Sequence, residues 1–420
     1  MPRFASRTFR SLKHRNYRLY FTGQIVSFTG SWMQSAALMW LVFDHTSNPL
    51  WPPLLLVAAV GPTLFLGPIG GALADRVPKR TLVMGTQAFF LLSAVTLAGL
   101  VAGNLFNPWL LFGVQLVNGI VQAIDLPARL AFVPELIPRV DLINAVGLNS
   151  LTFNAARAVG PALAGLLFLI ADAVIAAGWL PHSRAVTLGA LWCFLFNATS
   201  YAAVIWALSL IHIDRDPLLP KQAPGSFWDG FRFLRQHPGL AGIVVFTGLL
   251  SIFGWPVLTL LPAYTKFVLG QAEKSYSLLV SALGGGALIG SILTATYGSP
   301  KRKERFLLLG CFASLLGLIG LTVVNVMPLA LGCCALFGFG LILYLSTGQS
   351  TMQLSSPDHA RGKVMALWAM TLSGSSIPGH LLAGYAAQHY PVTDVMLAMT
   401  AGVAASTAGV VALVVSGKVK

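Results

Sequence analysis

Twelve runs of roughly 20 or more residues carry almost no Asp, Glu, Lys or Arg, and this spacing leaves few folds open to the chain. An α-helix rises about 1.5 Å per residue, so about 20 apolar residues cross the hydrocarbon of a bilayer, where an ionised side chain is costly. The runs lie at roughly 17 to 43, 51 to 74, 81 to 102, 108 to 128, 142 to 171 and 185 to 211, then 240 to 268, 275 to 298, 304 to 325, 328 to 353, 362 to 389 and 392 to 416. Only 10% of the 420 residues are charged, against about 25% in soluble domains. The expectation is an all-α membrane protein of twelve transmembrane helices in two six-helix bundles. The first spans 1–212 and the second 239–420, with a cytoplasmic linker over 213–238.

A formal charge of +14 could suggest a nucleic-acid partner, but the positions of the bases argue otherwise. With the N-terminus in the cytoplasm, all the bases except Arg157, Arg184, Lys266 and Lys274 fall in the tails or loops of that side. That is the positive-inside pattern, so both termini are expected to be cytoplasmic, with the bilayer as partner and no nucleic acid. The four cysteines lie inside apolar runs without metal-ligand spacing and read as packing residues. No nucleotide loop, metal cluster or catalytic triad is apparent, so neither a cofactor nor an enzymatic activity is expected. The linker string Phe227, Trp228, Phe231, Phe233 and Leu234, interleaved with Arg232 and Arg235, suits a short interfacial helix. Phe4, Phe9 and Leu12 near the N-terminus suit the same role.

The two halves echo one another. Val-Pro-Lys-Arg at 77–80 returns as Ser-Pro-Lys-Arg at 299–302, each between the second and third span of its half. Gly160-Pro161 in the fifth span is answered by Ile377-Pro378-Gly379 in the eleventh. Two landmarks in register argue for a repeated six-helix unit.

Gly71, Asp75, Arg76, Lys79 and Arg80 match the Gly-x-x-x-Asp-Arg-x-Gly-Arg-Arg/Lys signature that the major facilitator superfamily carries between its second and third spans, with Pro78 in place of a glycine. The tract from Asp125 to Glu135, followed by Asn144, Asn149, Asn154, Arg157 and Gly160-Pro161, is similar to a bacterial exporter branch typified by the enterobactin exporter, the transmembrane secretion effectors. Arg361-Gly-Lys-Val-Met and Gly30-Ser-Trp-Met-Gln agree with that branch. Gly147, Ala156, Gly160, Pro161 and Gly165 resemble the superfamily's antiporter motif, with alanine at two glycine positions, Ala156 and Ala164. The resemblance implies the major facilitator fold and export of a small amphipathic molecule, siderophore or drug-like, by alternating access. It also implies proton antiport, and the protein is expected to work as a monomer. A lysophospholipid flippase on the same scaffold is the alternative, and a silent sensor is a further rival.

Within that frame Asp75 is expected to cap the third span, and Arg76 to reach Asp125, making a gating latch of Gly71, Asp75, Arg76, Lys79, Arg80, Asp125 and Arg129. A topology anchor of solvated charges is the other reading. Gln115, Asn118, Gln122, Asp125 and Arg129 share one helical face, as do Tyr20, Gln24, Ser27, Ser31 and Gln34. Such stripes suit either a wet substrate cavity or interhelical hydrogen bonding. Asn154 and Arg157 fit substrate contact or a structural network, and Trp255, Thr259, Gln349, Gln353, Trp368, Thr371 and Ser375 are the cavity candidates of the second half. Trp32, Trp40 and Trp368 offer aromatic faces to a flat cargo. For the proton, Asp44 and His380 are the candidates, beside the plain readings of a helix-end acid and a hydrogen-bonded histidine.

Overall fold

Hydrocarbon offers a backbone no hydrogen bonds, and the chain answers with helix almost throughout. The computed structural model describes residues 10–177, 185–212, 228–298, 302–356 and 358–417, and no β-strand occurs among them. A 3-10 turn, Arg10–Lys13, leads into α1 (Arg15–Thr46), α2 (Trp51–Arg76), α3 (Lys79–Ala102), α4 (Pro108–Leu136), α5 (Leu142–Ala176) and α6 (Ala185–Ser209). Next come α7 (Trp228–Gln236), α8 (Pro238–Phe253), α9 (Val257–Phe267), α10 (Glu273–Tyr297), α11 (Lys303–Val323), α12 (Met327–Ser355), α13 (Asp358–His389) and α14 (Val392–Val415).

Eleven segments among the described residues are long and apolar enough to cross a membrane, α8 and α9 counting as one. The 32 residues of α13 supply the length for a twelfth, its first turns carrying Arg361 and Lys363. The span expected as continuous over 240–268 is broken between Phe253 and Val257. Pro256 lacks the N–H a continuing helix needs and its ring crowds the preceding turn. The tail residues Phe4 and Phe9 and the linker over 213–227, as well as the Ser-Pro-Lys echo at 299–301, lie outside the described residues. The linker's last part forms α7.

By its contacts the chain divides into two units. One comprises Met1–Arg215 with Ala272–Ser281, the other Asp216–Gln271 with Ala282–Lys420. The start of α10 therefore groups with the first unit, through a Lys274–Asp172 ion pair at 2.5 Å and a stack of Trp40 on Tyr276 at 5.5 Å. Trp40 is 2% exposed. It is a packing residue and offers no free face to a cargo.

Inside each unit the helices meet at glycines, and the same pairs of spans meet. On α5, a Cβ at Gly160 would lie 2.7 Å from the Thr29 carbonyl oxygen and 2.9 Å from the Met33 nitrogen of α1. In the second unit Gly379 of α13 abuts the backbone of Ile252 on α8, the corresponding pair. Likewise Gly70 of α2 meets Ala123 of α4 and Gly119 of α4 meets Ala58 of α2, while Gly286 of α10 meets Ala335 of α12 and Gly338 of α12 meets Leu283 of α10. Lipid tails give helices no hydrophobic reason to associate, so close backbone contact at small residues holds them together. Of the antiporter-like set, Gly160 and Gly165 make close approaches, the latter with Ser277 Cβ 3.0 Å from a built Cβ, and Ala156 is buried, whereas Gly147 faces open space.

One end of the first unit is tied by a single carboxylate. Asp141, 1% exposed, receives Arg10 Nε at 2.5 Å, His14 Nε2 at 2.8 Å and Lys13 Nζ at 3.3 Å, while Ser11 Oγ donates to its carbonyl. The Tyr17 hydroxyl and the Asn16 amide then bind the carbonyls of Ala145 and His212. Asp141 thus docks the start of the chain onto the entrance of α5. The hydrogen bond from His14 holds its carboxyl below the usual carboxylate range, helped by Lys13 and Arg10 and opposed by burial.

Two outcomes are expected. Gly160→Val lowers stability by about 1–3 kcal/mol through overpacking, and Gly147→Ala, in open space within a helix, raises it by about 0.4–1 kcal/mol. Thermal unfolding in detergent measures both. A carboxyl held below its ordinary value stabilises the fold above the carboxylate range, and that contribution disappears as the pH falls through the lowered value. Asp141→Asn therefore melts below the parent at neutral pH, and the gap closes as the pH drops below about 4.

Candidate functional site

The interior of the first unit holds an ion pair built on one helix. Asp125 and Arg129 stand one turn apart on α4, so their side chains share a face. Arg129 Nε lies 2.5 Å from Asp125 Oδ2. The other carboxylate oxygen accepts from Thr86 Oγ1 at 2.5 Å and Gln87 Nε2 at 3.0 Å, both on α3. Arg129 Nη1 donates to Gln24 Oε1 of α1 at 2.5 Å, and the guanidinium carbon sits 5.6 Å from the centre of the Phe28 ring. Asp125 is wholly buried. Taking a carboxylate out of water costs several kcal/mol, which these two donors and the full positive charge of Arg129 offset.

In this arrangement the expected Arg76–Asp125 contact is not made. Asp75 and Arg76 are exposed, and Asp125 faces inward to Arg129, Thr86 and Gln87. The capping role of Asp75 also falls, because Pro78 occupies the N-cap of α3 and no side chain caps it. The rest of the signature makes ties of another kind. Lys79 pairs with Glu135 at 2.9 Å, and Arg80 donates to the carbonyls of Leu208 and Ser209, each at 2.8 Å, at the end of α6. A guanidinium at a helix C-terminus satisfies carbonyls that have no partner within the helix. Gly71 faces open space.

The α1 stripe, one candidate for a wet cavity, joins helices instead. Gln24 binds Arg129, Ser31 Oγ meets the Tyr201 hydroxyl at 3.0 Å, and Gln34 Oε1 accepts from Asn197 Nδ2 at 2.8 Å. Ser27 is 1% exposed. On α4, Asn118 donates to Gln115 at 2.9 Å, and both are half-buried, as is Gln122. Asn154 and Arg157 are buried, with the Arg157 guanidinium carbon 4.9 Å from the centre of the Trp32 ring.

In the second unit Gln349 and Gln353 are exposed and Thr371 is half-buried beside Gly248. Trp368, expected to line the cavity, is 3% exposed, its ring filling the space a side chain at Gly348 would need. It packs the core of that unit. His380 is buried, its Nδ1 3.0 Å from Thr259 Oγ1. Asp44 is half-buried near the end of α1.

Four residues that sequence reasoning passed over contact these groups: the buried Thr86 and Gln87, the half-buried Phe28 and the exposed Phe153. Thr86 and Gln87 left a signal, adjacent polar residues within an apolar run, whereas two phenylalanines in a membrane span left none. Among the described residues no group of three or more His, Cys, Asp or Glu side chains is arranged to hold a metal.

The comparisons agree with this architecture. The transmembrane secretion effector family model matches residues 6–416. The enterobactin exporter EntS of Shigella boydii serotype 18 is 28% identical over 392 residues, covering 91% of this chain and 88% of that protein. EntS of Escherichia coli O139:H28 has the same identity and coverage. Among solved structures, the nucleoside transporter NupG superposes with a TM-score of 0.68 at 14% identity, over 95% of this chain and 98% of NupG. A bacterial homologue of the iron transporter ferroportin, inward-facing, gives 0.68 at 18% identity over 95% of this chain and 98% of that one. At such identities the likeness speaks for the fold alone. An all-helical membrane chain of the major facilitator fold, matched by that model over nearly its whole length, belongs to the transmembrane secretion effector family and is a transporter.

Proposed function

We propose that this protein is a secondary active transporter that exports a small amphipathic molecule, siderophore or drug-like, by alternating access in exchange for protons. The observation that carries the reading is Asp125, a carboxylate inside a span, wholly buried and held by groups from α3 and α4. Packing alone does not call for a charge there, since apolar replacement of a buried ion pair is often neutral or stabilising. Carboxylates kept within membrane spans mark ion and proton pathways. A proton on Asp125 cancels its attraction for Arg129, and Arg129 holds Gln24 of α1. Protonation therefore weakens the bonds that tie Asp125 of α4 to Thr86 and Gln87 of α3 and leaves Arg129 without its counter-charge, a local charge change acting on helix packing. Asp44 and His380 are the other two groups on the proposed proton route.

Similarity to an exporter supports the outward direction of transport. The distribution of bases supports a bacterial cytoplasmic membrane protein with both termini inside. At that side the Lys79–Glu135 pair and the Arg80 bonds to α6 take the latch role first assigned to Arg76. We take the working unit to be a monomer. No observation singles out a lipid cargo.

Proteoliposomes with an imposed pH gradient test the reading, with a catecholate siderophore, cationic dyes and lysophospholipids compared side by side. The gradient is expected to drive accumulation of a siderophore or dye, and Asp125→Asn to abolish that accumulation while preserving downhill exchange. Movement indifferent to the gradient would overturn antiport, and lysophospholipid flux alone would overturn the cargo class.

A further inference from the structure

Asp125 is held on the α3 side by two groups that can reverse their bonds. Thr86 Oγ1 lies 2.5 Å from Asp125 Oδ1 and 2.9 Å from the carbonyl oxygen of Val83, one turn back on its own helix. A hydroxyl has one hydrogen to give and lone pairs to receive with, so Thr86 serves only one of these two oxygens at a time. Gln87 donates to Oδ1 through Nε2 at 3.0 Å, while its Oε1 is buried and has no hydrogen-bond partner. Half a turn of that amide exchanges its nitrogen for its oxygen and so turns a donor toward Asp125 into an acceptor. The contrast is Asp141, whose ion-pair partners Arg10 and Lys13 carry donors only.

The charged and titratable groups acting on Asp125 are Arg129 of its own helix, Tyr20 of α1 and Tyr201 of α6. The charges of α2, Asp75 and Arg76, are exposed at its end, and α3 faces Asp125 with Thr86 and Gln87, which do not titrate. Arginine and tyrosine keep their protons at neutral pH, so the carboxyl is the group that changes. We propose that Thr86 and Gln87 are positioning residues for the proton: they donate to Asp125 while it is ionised and accept from it once it is protonated. With the carboxylate ionised, the Thr86 hydrogen goes to Oδ1, the stronger acceptor. When a proton delivered by water settles on Oδ1, the new O–H donates to Thr86 Oγ1 across the same contact, and the Thr86 hydrogen turns to the Val83 carbonyl. The tie between α3 and α4 survives the change in the weaker form of a neutral bond. Gln87 Oε1 is the second acceptor. An acid O–H buried without an acceptor is costly, so a site of donors alone would hold the carboxylate ionised. This assignment rests on the reading of Asp125 as the proton carrier and names the residues that let it change state.

The test is infrared difference spectroscopy of the full-length protein in lipid membranes, titrated between about pH 4 and 9. The carbonyl band of protonated Asp125 is identified by its loss in Asp125→Asn, and a hydrogen bond donated by the acid lowers the frequency of that band. Thr86→Val is expected to raise it and the double variant Thr86→Val with Gln87→Met to raise it further, both replacements being close to the parent in size. Thr86→Ser, which keeps the hydroxyl, should return it to the parent position. Gradient-driven dye accumulation should fall about fivefold in Thr86→Val and recover in Thr86→Ser. Residues that only donate to the carboxylate would leave the acid band where it is. An unmoved band in the double variant, or a shift in Thr86→Ser as large as in Thr86→Val, therefore overturns the proposal and leaves antiport standing. A band that responds to the variants in a protein whose transport ignores the gradient overturns antiport and leaves the two residues their role. No Asp125 band at any pH overturns both.

Discussion

Within the hydrocarbon of a bilayer a polar group has no water to turn to, and the structure is arranged around that absence. The backbone meets it by folding into helices. The side chains meet it by pairing across helices, as Gln24 does with Arg129, Ser31 with Tyr201 and Gln34 with Asn197. Serines and threonines such as Thr247, Thr265 and Ser314 turn back onto the carbonyl four residues earlier on their own helix. Asp125 is the extreme case, a full charge kept inside by two donors and one counter-charge.

The same solvent explains the glycines. Apolar side chains gain nothing by leaving lipid for each other, so helix pairs are selected by how closely their backbones approach. Gly160 of α5 against α1 and Gly379 of α13 against α8 make the fifth-on-first contact in the two units, and Gly70 with Gly119, then Gly286 with Gly338, make the second-with-fourth contact. The repetition is one of contacts as well as of sequence landmarks. At Gly160 the approach has a chemical product too, because it brings Trp32 of α1 against Phe153 and Arg157 of α5.

Much of the architecture was legible in the chain, since span length and the exclusion of charge are properties of single segments. The break before Val257 was foreshadowed by Pro256 but read through, because the flanking hydropathy is continuous across it. The site was legible only in part. Helical spacing placed Asp125 and Arg129 on one face and Gln24 in a polar stripe, but periodicity does not say which neighbour a face meets. Arg76 and Asp125 both stand toward the cytoplasmic ends of their spans, yet Arg76 is exposed while Asp125 looks inward to α3. An aromatic face such as that of Trp368 suits a cavity or a packed core equally in sequence, and its ring fills the space beside Gly348.

By itself, then, the sequence determined that the chain is a bundle of membrane-crossing helices in two related halves, and it named the family through residues in register along those helices. These follow from transfer free energies and periodicities that each segment carries on its own. Only the tertiary structure decided that the Gln24 stripe joins helices, that Thr86 and Gln87 hold Asp125, and that Phe28, Phe153 and Trp32 link Arg129 to Arg157. Each of these depends on which helices touch and at what rotation, and short-range backbone contact at glycines, a property of pairs of helices, sets both.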